Sequence, residues 1–319
     1  MTSQMAQQRF STEQAASDIE AAIEAVERAM LGVVNSRVTV LREASQHILE
    51  AGGKRIRPRL LMLSYLALGG TDYDYAAPAA AAVELMHTAS VVHDDINDHG
   101  VLRRGRPSIN AKWGRTFALL TGDFLFTSVY QLMAPYGALN QILADAATAL
   151  VEGETLQAEA VKNNDFTRSK YAEIIALKTA ALFQAAGDLG ARLANATKQQ
   201  IEAMQSAAYN IGLAFQIVDD ILDIVGDEAT LGKTAGIDIE QGRGFVSAQT
   251  NGHQTTHEHK GDVFESVKAK LMKGDYLEEA RAQARALIEM AIEQIKTLPE
   301  SGARLALIEL ANQVVDRDF

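Results

Sequence analysis

The sequence predicts an all-α protein in which long helices surround a central cavity. Strong helix formers, among them Ala, Leu, Glu, Gln and Met, are abundant in the 319 residues, whereas prolines number only five. Apolar residues recur at helical spacing, and the alternation of apolar and polar residues that a half-buried strand needs is essentially missing. Because no linker or internal repeat divides the chain, we expect one domain.

The predicted helices begin after a short N-terminal segment. Residues 1–11 are expected to form a mobile tail, and residues 12–319 a single domain. The first helix carries an apolar stripe that includes Ile19, Ile23 and Met30, and it ends at a pair of glycines. By the same spacing, the sequence predicts helices over 13–51, 57–68, 76–98, 113–133, 138–160, 168–195, 197–225, 262–296 and 301–316.

Some of these segments indicate what the fold is built around. The stretches 76–92 and 174–191 are apolar on nearly every face, so neighbouring helices must bury them from several sides. We expect long helices to surround a central cavity. The segment 226–262 interrupts the helical pattern with repeated glycines and is expected to be a long loop with short helical pieces. Loops of that length usually have a function or are disordered.

The composition excludes several classes of function. A net charge of −11 and a pI near 5.2 argue against general binding to nucleic acid or to anionic membranes. The absence of cysteine excludes disulfides, thiolate metal sites and cysteine nucleophiles, and it fits a reducing cytoplasm, where we expect the protein to be located. No apolar secretory stretch opens the chain, and nowhere do 18 apolar residues run unbroken, so we expect no transmembrane segment.

Two aspartate-rich motifs lie at the ends of apolar helices. In the first, Asp94 and Asp98 are one helical turn apart on one face, and Asp95 is turned away by about 100° and is expected to support them. In the second, Asp219 and Asp223 repeat this spacing. Like charges so placed destabilise a helix, so both motifs indicate a cation that neutralises them. The alternative interpretation is that both motifs are solvated helix ends without a ligand. This interpretation is weaker for two such motifs than it would be for one.

The chemistry of these motifs favours Mg²⁺ together with a phosphorylated partner. Mg²⁺ prefers oxygen ligands, and where few carboxylates bind it, water and phosphate oxygens complete its coordination. Cations cluster nearby in the sequence, at 52–59 and 103–106, which in an acidic protein indicates a local anion site. A basic turn without a ligand and a nucleotide site are the alternatives. The sequence lacks the GxxxxGK[ST] loop that would favour a nucleotide.

These pieces, taken in order, resemble the all-trans polyprenyl diphosphate synthases, and the resemblance covers nearly the whole chain from about residue 15. A lone DDxxD motif would be weak support, whereas the ordered set is specific. The fold it implies is the isoprenoid synthase-type helical bundle around a deep central cavity, normally as a homodimer. The matching segments are GGKRIRPRL at 52–60, ELMHTASVVHDDINDHGVLRRGRPS at 84–108, GDFLF at 122–126, GETLQ at 153–157, LKTAALF at 177–183 and FQIVDDILDIVGDEATLGK at 215–233.

The resemblance implies an enzyme that condenses isopentenyl diphosphate with an allylic diphosphate, with about three Mg²⁺ ions in each active site and no nucleic acid. The metal ligands it implies are Asp94, Asp98, Asp219 and Asp223, assisted by Asp95 and Asp220. For isopentenyl diphosphate it implies a pocket of Lys54, Arg57, His87 and Arg104. Around the allylic diphosphate it implies Arg103, Lys178, Thr179, Gln216 and Lys233. Without the resemblance, His87 would be interpreted as a hydrogen-bonded core histidine and Gln157 as a buried amide.

The length of the product should depend on the residues that lie below the first aspartate motif. Ala89 and Ser90, about one turn deeper, are both small, and short-chain relatives carry an aromatic residue near these positions. Met86 is flexible and could yield, and Tyr130 or Met133 could form a deeper floor. The resemblance, together with the helix rise, therefore implies a product of about C30–C50, with C20 as the alternative. The competing interpretation is that the small residues serve only helix packing.

The segment after the second motif departs from the family pattern. Relatives commonly continue GKPxGxDLxEGKxTLP, whereas residues 232–246 read GKTAGIDIEQGRGFV. This departure concerns the expected lid over the site and leaves the aspartates unchanged. A non-catalytic subunit of a heteromeric synthase is a rival interpretation. Such subunits commonly lose one aspartate motif, and this chain keeps both.

Overall fold

The computed structural model describes residues 2–163, 165, 167–225 and 276–316, and these are almost entirely helical, so the predicted all-α class is confirmed. A 3₁₀ segment, Ala134–Leu139, and a π-helical segment, Ala176–Ala180, join α-helices. The helices are α1 (Thr2–Val33), α2 (Thr39–Glu50), α3 (Ile56–Ala67), α4 (Tyr73–Asn97), α5 (Ile109–Trp113), α6 (Arg115–Met133), α7 (Asn140–Asn163), α8 (Arg168–Ile175), α9 (Ala181–Leu193), α10 (Lys198–Val225), α11 (Tyr276–Lys296) and α12 (Gly302–Val315).

Helix α4 lies in the middle of the bundle and packs against α1, α3 and α6. Its first half is a run of buried alanines, whose small side chains allow neighbouring helices to approach closely. Helix α10 packs along α9 and α11. Most buried apolar residues of the described chain belong to one continuous core, so the ends of α4 and α10 are held by a single packed body.

Several boundaries differ from the sequence prediction, each for a local reason. The helix predicted over 13–51 is broken between α1 and α2, where Ser36 accepts a hydrogen bond from the Val38 N–H (3.1 Å) and so competes with the helix. Helix α6 begins after Gly114, whose φ of 83° a helix does not allow. Helix α1 includes residues 2–11, so the predicted tail continues this helix, and its mobility stays a prediction.

One short hairpin supplies the described β structure. Strands β1 (Leu102–Arg103) and β2 (Arg106–Pro107) pair antiparallel directly after the first aspartate motif. The part of the predicted 262–296 helix before Tyr276, and the predicted 226–262 loop, lie outside the described residues.

Two helical stretches have the length and mean apolarity that a membrane span needs, although no 18 apolar residues run unbroken in the sequence. They are Arg115–Asn163 and Arg168–Leu193, and 39% and 67% of their most apolar windows are buried inside the protein. The first is kinked at Gly137, and the second includes the core helix α9. Core helices of globular proteins pass the same test, so this is a weak indication of membrane insertion.

Candidate active site

The first aspartate motif ends α4, and Asp94 there faces side chains from two other elements. Its Oδ2 lies 3.7 Å from the Lys178 Nζ, and that ammonium also lies 2.5 Å from Glu154 Oε1 on α7. Burial raises the pKa of Asp94 to about 6; the Lys178 ammonium opposes this rise, and the Glu154 carboxyl adds to it. The structure therefore places Glu154 and Lys178 beside the poorly hydrated carboxyl group of Asp94.

Asp95 has a different role because an arginine engages its carboxylate. It is 2% exposed, and Arg103 on β1 donates to its Oδ1 from Nε (3.1 Å) and Nη2 (2.5 Å). Burial raises the pKa of Asp95, whereas the bond from Arg103 lowers it. The Gly100 N–H donates to the Asp95 backbone carbonyl (2.9 Å), so the chain turns directly into the hairpin. Asp95 thus fixes Arg103 beside the motif, and Asp98 caps the helix with its N–H on the Asp94 carbonyl.

The second aspartate motif lies near the end of α10, where Asp219 is half-buried and Asp220 and Asp223 are buried. Asp220 accepts a hydrogen bond on each carboxylate oxygen, from the Tyr171 hydroxyl (2.7 Å) and from Gln216 Nε2 (2.8 Å). The other atom of the Gln216 amide, Oε1, accepts from the Thr179 hydroxyl (2.7 Å). The middle aspartate is therefore tied to protein donors in both motifs.

A π-helical segment joins the two motifs. Its consecutive residues Lys178 and Thr179 contact Asp94 of the first motif and, through Gln216, Asp220 of the second. Short π-helical turns inside α-helices are often found at functional sites. Because the two ends of this chain of contacts start from neighbouring residues, both motifs border the same small region.

Two glycines allow neighbouring helices to approach this segment closely. A Cβ atom on Gly153 of α7 would lie 2.6 Å from the Lys178 backbone nitrogen. A Cβ atom on Gly212 of α10 would lie 2.7 Å from the Ala180 Cα. The π-helical segment is thus packed between α7 and α10 with no space for a methyl group at either contact.

The residues predicted to bind isopentenyl diphosphate form a basic cluster next to the first motif. Burial lowers the pKa of His87 well below its ordinary value of 6.5, and the guanidinium groups of Arg57 and Arg104 lower it further. His87 is therefore a neutral imidazole among cations. Arg57 Cζ stacks 4.6 Å above the Phe183 ring, and the Lys54 side chain is exposed.

The cluster depends on a buried ion pair that the sequence analysis did not single out. Arg55, which has a left-handed backbone (φ 48°), donates from Nη1 to Glu84 Oε1 (3.0 Å), and the side chains are 6% and 3% exposed. Next to it, a Cβ atom on Gly53 would lie 2.7 Å from the Arg104 Cζ, so this glycine seats the guanidinium group. Glutamate within an otherwise apolar stretch of α4 was the available signal for this pair.

Two further residues near the site, Glu154 and Tyr171, were also missed, and Gln157 was interpreted only as a buried amide. Glu154 and Gln157 on α7 both contact the Lys178 ammonium, the latter through Oε1 at 2.9 Å. Tyr171 on α8 contacts Asp220. The two α7 residues stand in the GETLQ segment, but nothing in a single sequence shows that a lysine 21 positions after Gln157 meets them. Lys233, predicted to bind the allylic diphosphate, lies outside the described residues.

The residues predicted to control product length do not all lie together. Ala89, Met86 and Met133 are buried in the core, and Ser90 is half-buried, with its hydroxyl on the His87 carbonyl (2.8 Å). Tyr130 is 64% exposed, because the helical spacing of α6 places it on the outer face. In one copy of this chain, Tyr130 therefore does not form the floor of an enclosed pocket.

The donor atoms present suit a hard divalent cation that is shared with a ligand. Carboxylate oxygens are the protein ligands that Mg²⁺ prefers. Burial raises the pKa of Asp94, so a cation beside this carboxyl group would stabilise its ionised form. Within the described ranges, no group of three or more His, Asp or Glu side chains could hold a metal ion by itself. The site therefore fits Mg²⁺ whose coordination is completed by ligand oxygens.

Comparisons with known proteins agree with this arrangement. The family model described as polyprenyl synthetase matches residues 38–290. A short chain isoprenyl diphosphate synthase of Methanothermobacter thermautotrophicus is 38% identical, with 88% of this chain and 91% of that protein covered. An octaprenyl diphosphate synthase of Haemophilus influenzae is 34% identical, with 92% and 93% covered. The crystal structure of a Caulobacter crescentus polyprenyl synthase, complexed with calcium and isoprenyl diphosphate, superposes with a TM-score of 0.87 at 31% identity and covers 96% of this chain and 98% of that one.

Proposed function

Because the chain belongs to the polyprenyl synthetase family, and its members of known activity are prenyltransferases, we propose that it joins isopentenyl diphosphate to an allylic diphosphate and makes an all-trans polyprenyl diphosphate of about C30–C50. The observation that carries this proposal is the placement of Lys178 and Thr179 between the two aspartate motifs. Two acidic motifs that would hold Mg²⁺, with the Lys178 ammonium beside them, suit a diphosphate that leaves with an electron pair.

The described residues divide the work between two diphosphates. Asp94, Asp98, Asp219 and Asp223 would hold Mg²⁺, which when bound supplies positive charge to the leaving diphosphate. Lys178 and Arg103 add fixed positive charge on the same side. When the allylic C–O bond breaks, its electron pair leaves with the diphosphate, and the double bond of isopentenyl diphosphate attacks the carbon left behind. A proton then passes to the released diphosphate, which restores a double bond, and the chain is five carbons longer.

The basic cluster around His87 suits the second diphosphate. Arg57 and Arg104 offer planar, paired donors to phosphate oxygens, and the neutral His87 adds a donor without raising the positive charge. The Phe183 ring beneath Arg57 limits the freedom of that guanidinium group. We propose that Lys54, Arg57, His87 and Arg104 bind isopentenyl diphosphate.

Incubation with labelled isopentenyl diphosphate, Mg²⁺ and allylic primers from C5 to C20 tests the function. We expect a ladder of products that ends at about C30–C50 when the dephosphorylated prenols are separated by chromatography. A ladder that ends at C20 would identify a geranylgeranyl diphosphate synthase instead. Absence of product with every primer would contradict the activity and favour the non-catalytic subunit.

Ser90→Phe is expected to shorten the product while total turnover stays within about threefold. Ser90 keeps accessible surface one turn below Asp94, so a phenyl group there would meet a growing chain. Ala89→Phe is the matched comparison: because Ala89 is 0% exposed, its phenyl ring would overpack the core and lower stability by about 1–3 kcal/mol. Chromatography and thermal unfolding of both variants check this. An unchanged product from Ser90→Phe would show that the chain grows in another direction.

We also propose a cytoplasmic homodimer. Apolar side chains are exposed on α6, where Phe117, Leu119 and Leu120 are 41%, 49% and 48% exposed, and a second copy would cover them. Sedimentation velocity measures the mass directly. A monomer at micromolar concentration would contradict this part of the proposal.

A further inference from the structure

Tyr171 stands at the start of a hydrogen-bonded chain that ends in the candidate active site. Its hydroxyl donates to Asp220 Oδ2 (2.7 Å), Asp220 Oδ1 accepts from Gln216 Nε2 (2.8 Å), and Gln216 Oε1 accepts from the Thr179 hydroxyl (2.7 Å). These four residues come from α8, α10 and the π-helical segment. Asp220 and Gln216 therefore link Tyr171 to Thr179, although no direct hydrogen bond joins these two residues.

The direction of every bond in this chain follows from chemistry. An ionised carboxylate only accepts, so the Gln216 atom that faces Asp220 must be the NH₂ group. The carbonyl oxygen of the same amide then faces Thr179 and can only accept, so the Thr179 hydroxyl must donate. A hydroxyl has one proton. With that proton given to Gln216, the Thr179 oxygen can accept from a further group but cannot donate to one.

Tyr171 is the group that holds the Asp220 carboxylate in its orientation toward Gln216. Without the Tyr171 hydroxyl, one oxygen of a buried carboxylate loses this donor, and the carboxylate can rotate away from Gln216. The Gln216 amide could then flip, which would turn its NH₂ group toward Thr179 and reverse the hydroxyl. The residue that starts the chain thus controls the polarity at its other end.

We propose that Tyr171 is a positioning residue that acts through Asp220 and Gln216 to fix the hydroxyl of Thr179 as a donor to the protein, so that its oxygen presents lone pairs to the reacting group. This inference rests on the proposed prenyl transfer. It assigns Tyr171, acting through Gln216 and Thr179, to the rate of that reaction. It thereby departs from the resemblance, which implies that Gln216 and Thr179 lie around the allylic diphosphate.

The test is Tyr171→Phe, with Tyr209→Phe as the control, since Tyr209 is another half-buried tyrosine and lies on α10. We expect Tyr171→Phe to lower kcat about tenfold and to leave KM for each diphosphate within about twofold. Tyr209→Phe should leave both unchanged. An equal loss of kcat in both variants would overturn the proposal. A Tyr171→Phe variant in which KM rises while kcat is unchanged would overturn it as well.

A double-mutant cycle with Thr179→Val separates this role from general destabilisation. If Tyr171 acts through Thr179, adding Tyr171→Phe to Thr179→Val causes no further loss of kcat; if it acts independently, the two losses multiply. Thr179→Ser, which keeps the hydroxyl, should keep most of kcat and the full effect of Tyr171→Phe. Multiplied losses would overturn the proposal.

Calorimetry with inorganic pyrophosphate and Mg²⁺ supplies a readout that does not depend on turnover. The affinity of Tyr171→Phe should stay within about twofold of wild type, because the chain of bonds ends at Thr179. A loss of tenfold or more would show that Tyr171 acts on the binding site and would overturn the proposal. The wild-type assay separates the two proposals: no wild-type product contradicts the prenyl transfer, whereas an active wild type with an equally active Tyr171→Phe contradicts only the role of Tyr171.

Discussion

Asp94→Asn is expected to lower kcat by about 10³-fold or more and, at the same time, to stabilise the metal-free protein at pH 7.5. The loss of rate follows because the proposed metal and the leaving diphosphate depend on the carboxylate at the end of α4. The gain in stability follows because burial raises the pKa of Asp94 to about 6. Lys178 would keep acceptors in Glu154 and Gln157, so the substitution leaves no buried cation alone.

The sign of the pH dependence follows from that raised pKa. The folded protein holds the Asp94 proton more tightly than the unfolded chain does, whose carboxyl keeps an ordinary pKa of 3.8. The resulting stabilisation is complete below that value and is lost as the pH rises through about 6. At pH 7.5 the ionised Asp94 therefore costs about 1–3 kcal/mol, which asparagine removes.

Thermal unfolding without metal at pH 5 and pH 7.5 measures this effect. Asp94→Asn should be clearly more stable than wild type at pH 7.5. The difference in stability should be small at pH 5, where most wild-type Asp94 is protonated. Mg²⁺ with pyrophosphate should stabilise the wild type more than the variant. Asp145→Asn on α7 is the control, because Asp145 is exposed and its loss should change neither rate nor stability appreciably. A metal-free Asp94→Asn protein less stable than wild type at pH 7.5, or one with near-normal kcat, would contradict the assignment.

The features that the sequence predicted correctly are those set by local spacing. The helical class follows from periodicity along each segment, and the structure confirms it. The shared face of Asp94 and Asp98 stays a prediction from one helical turn. Arg57 lies 30 positions before His87 and on a different helix, so their proximity is not a local pattern.

The features that escaped prediction depend on contacts between distant segments. The π-helical turn that contains Lys178 exists where α7 and α10 approach it at Gly153 and Gly212, and neither contact has a pattern in a single helix. The role of Glu84 depends on Arg55, 29 positions earlier, which adopts a left-handed backbone conformation. Tyr130 was considered as a cavity floor because spacing alone does not show which face of α6 turns outward. Tertiary packing decides all three.

Packing at the π-helical segment should make Gly153 nearly irreplaceable, and Gly153→Ala tests this. Glycine in the middle of a helix costs about 0.5–1 kcal/mol relative to alanine, so alanine alone should stabilise α7. Here, however, the new methyl group would lie 2.6 Å from the Lys178 backbone nitrogen, and a backbone atom cannot move aside as a flexible side chain can. We expect a loss of about 1–3 kcal/mol in the free energy of unfolding and a loss of about 10–100-fold in kcat as the Lys178 ammonium moves.

Gly32→Ala on α1 is the matched control, because nothing lies within 4 Å of the position a methyl group would take. It should stabilise the protein by about 0.5 kcal/mol through helix propensity and leave kcat unchanged. Chemical denaturation and steady-state kinetics on the two variants distinguish packing from propensity, since the substitution is the same in both. If Gly153→Ala were as stable and as active as Gly32→Ala, the close approach of α7 would not be what shapes the segment that carries Lys178 and Thr179.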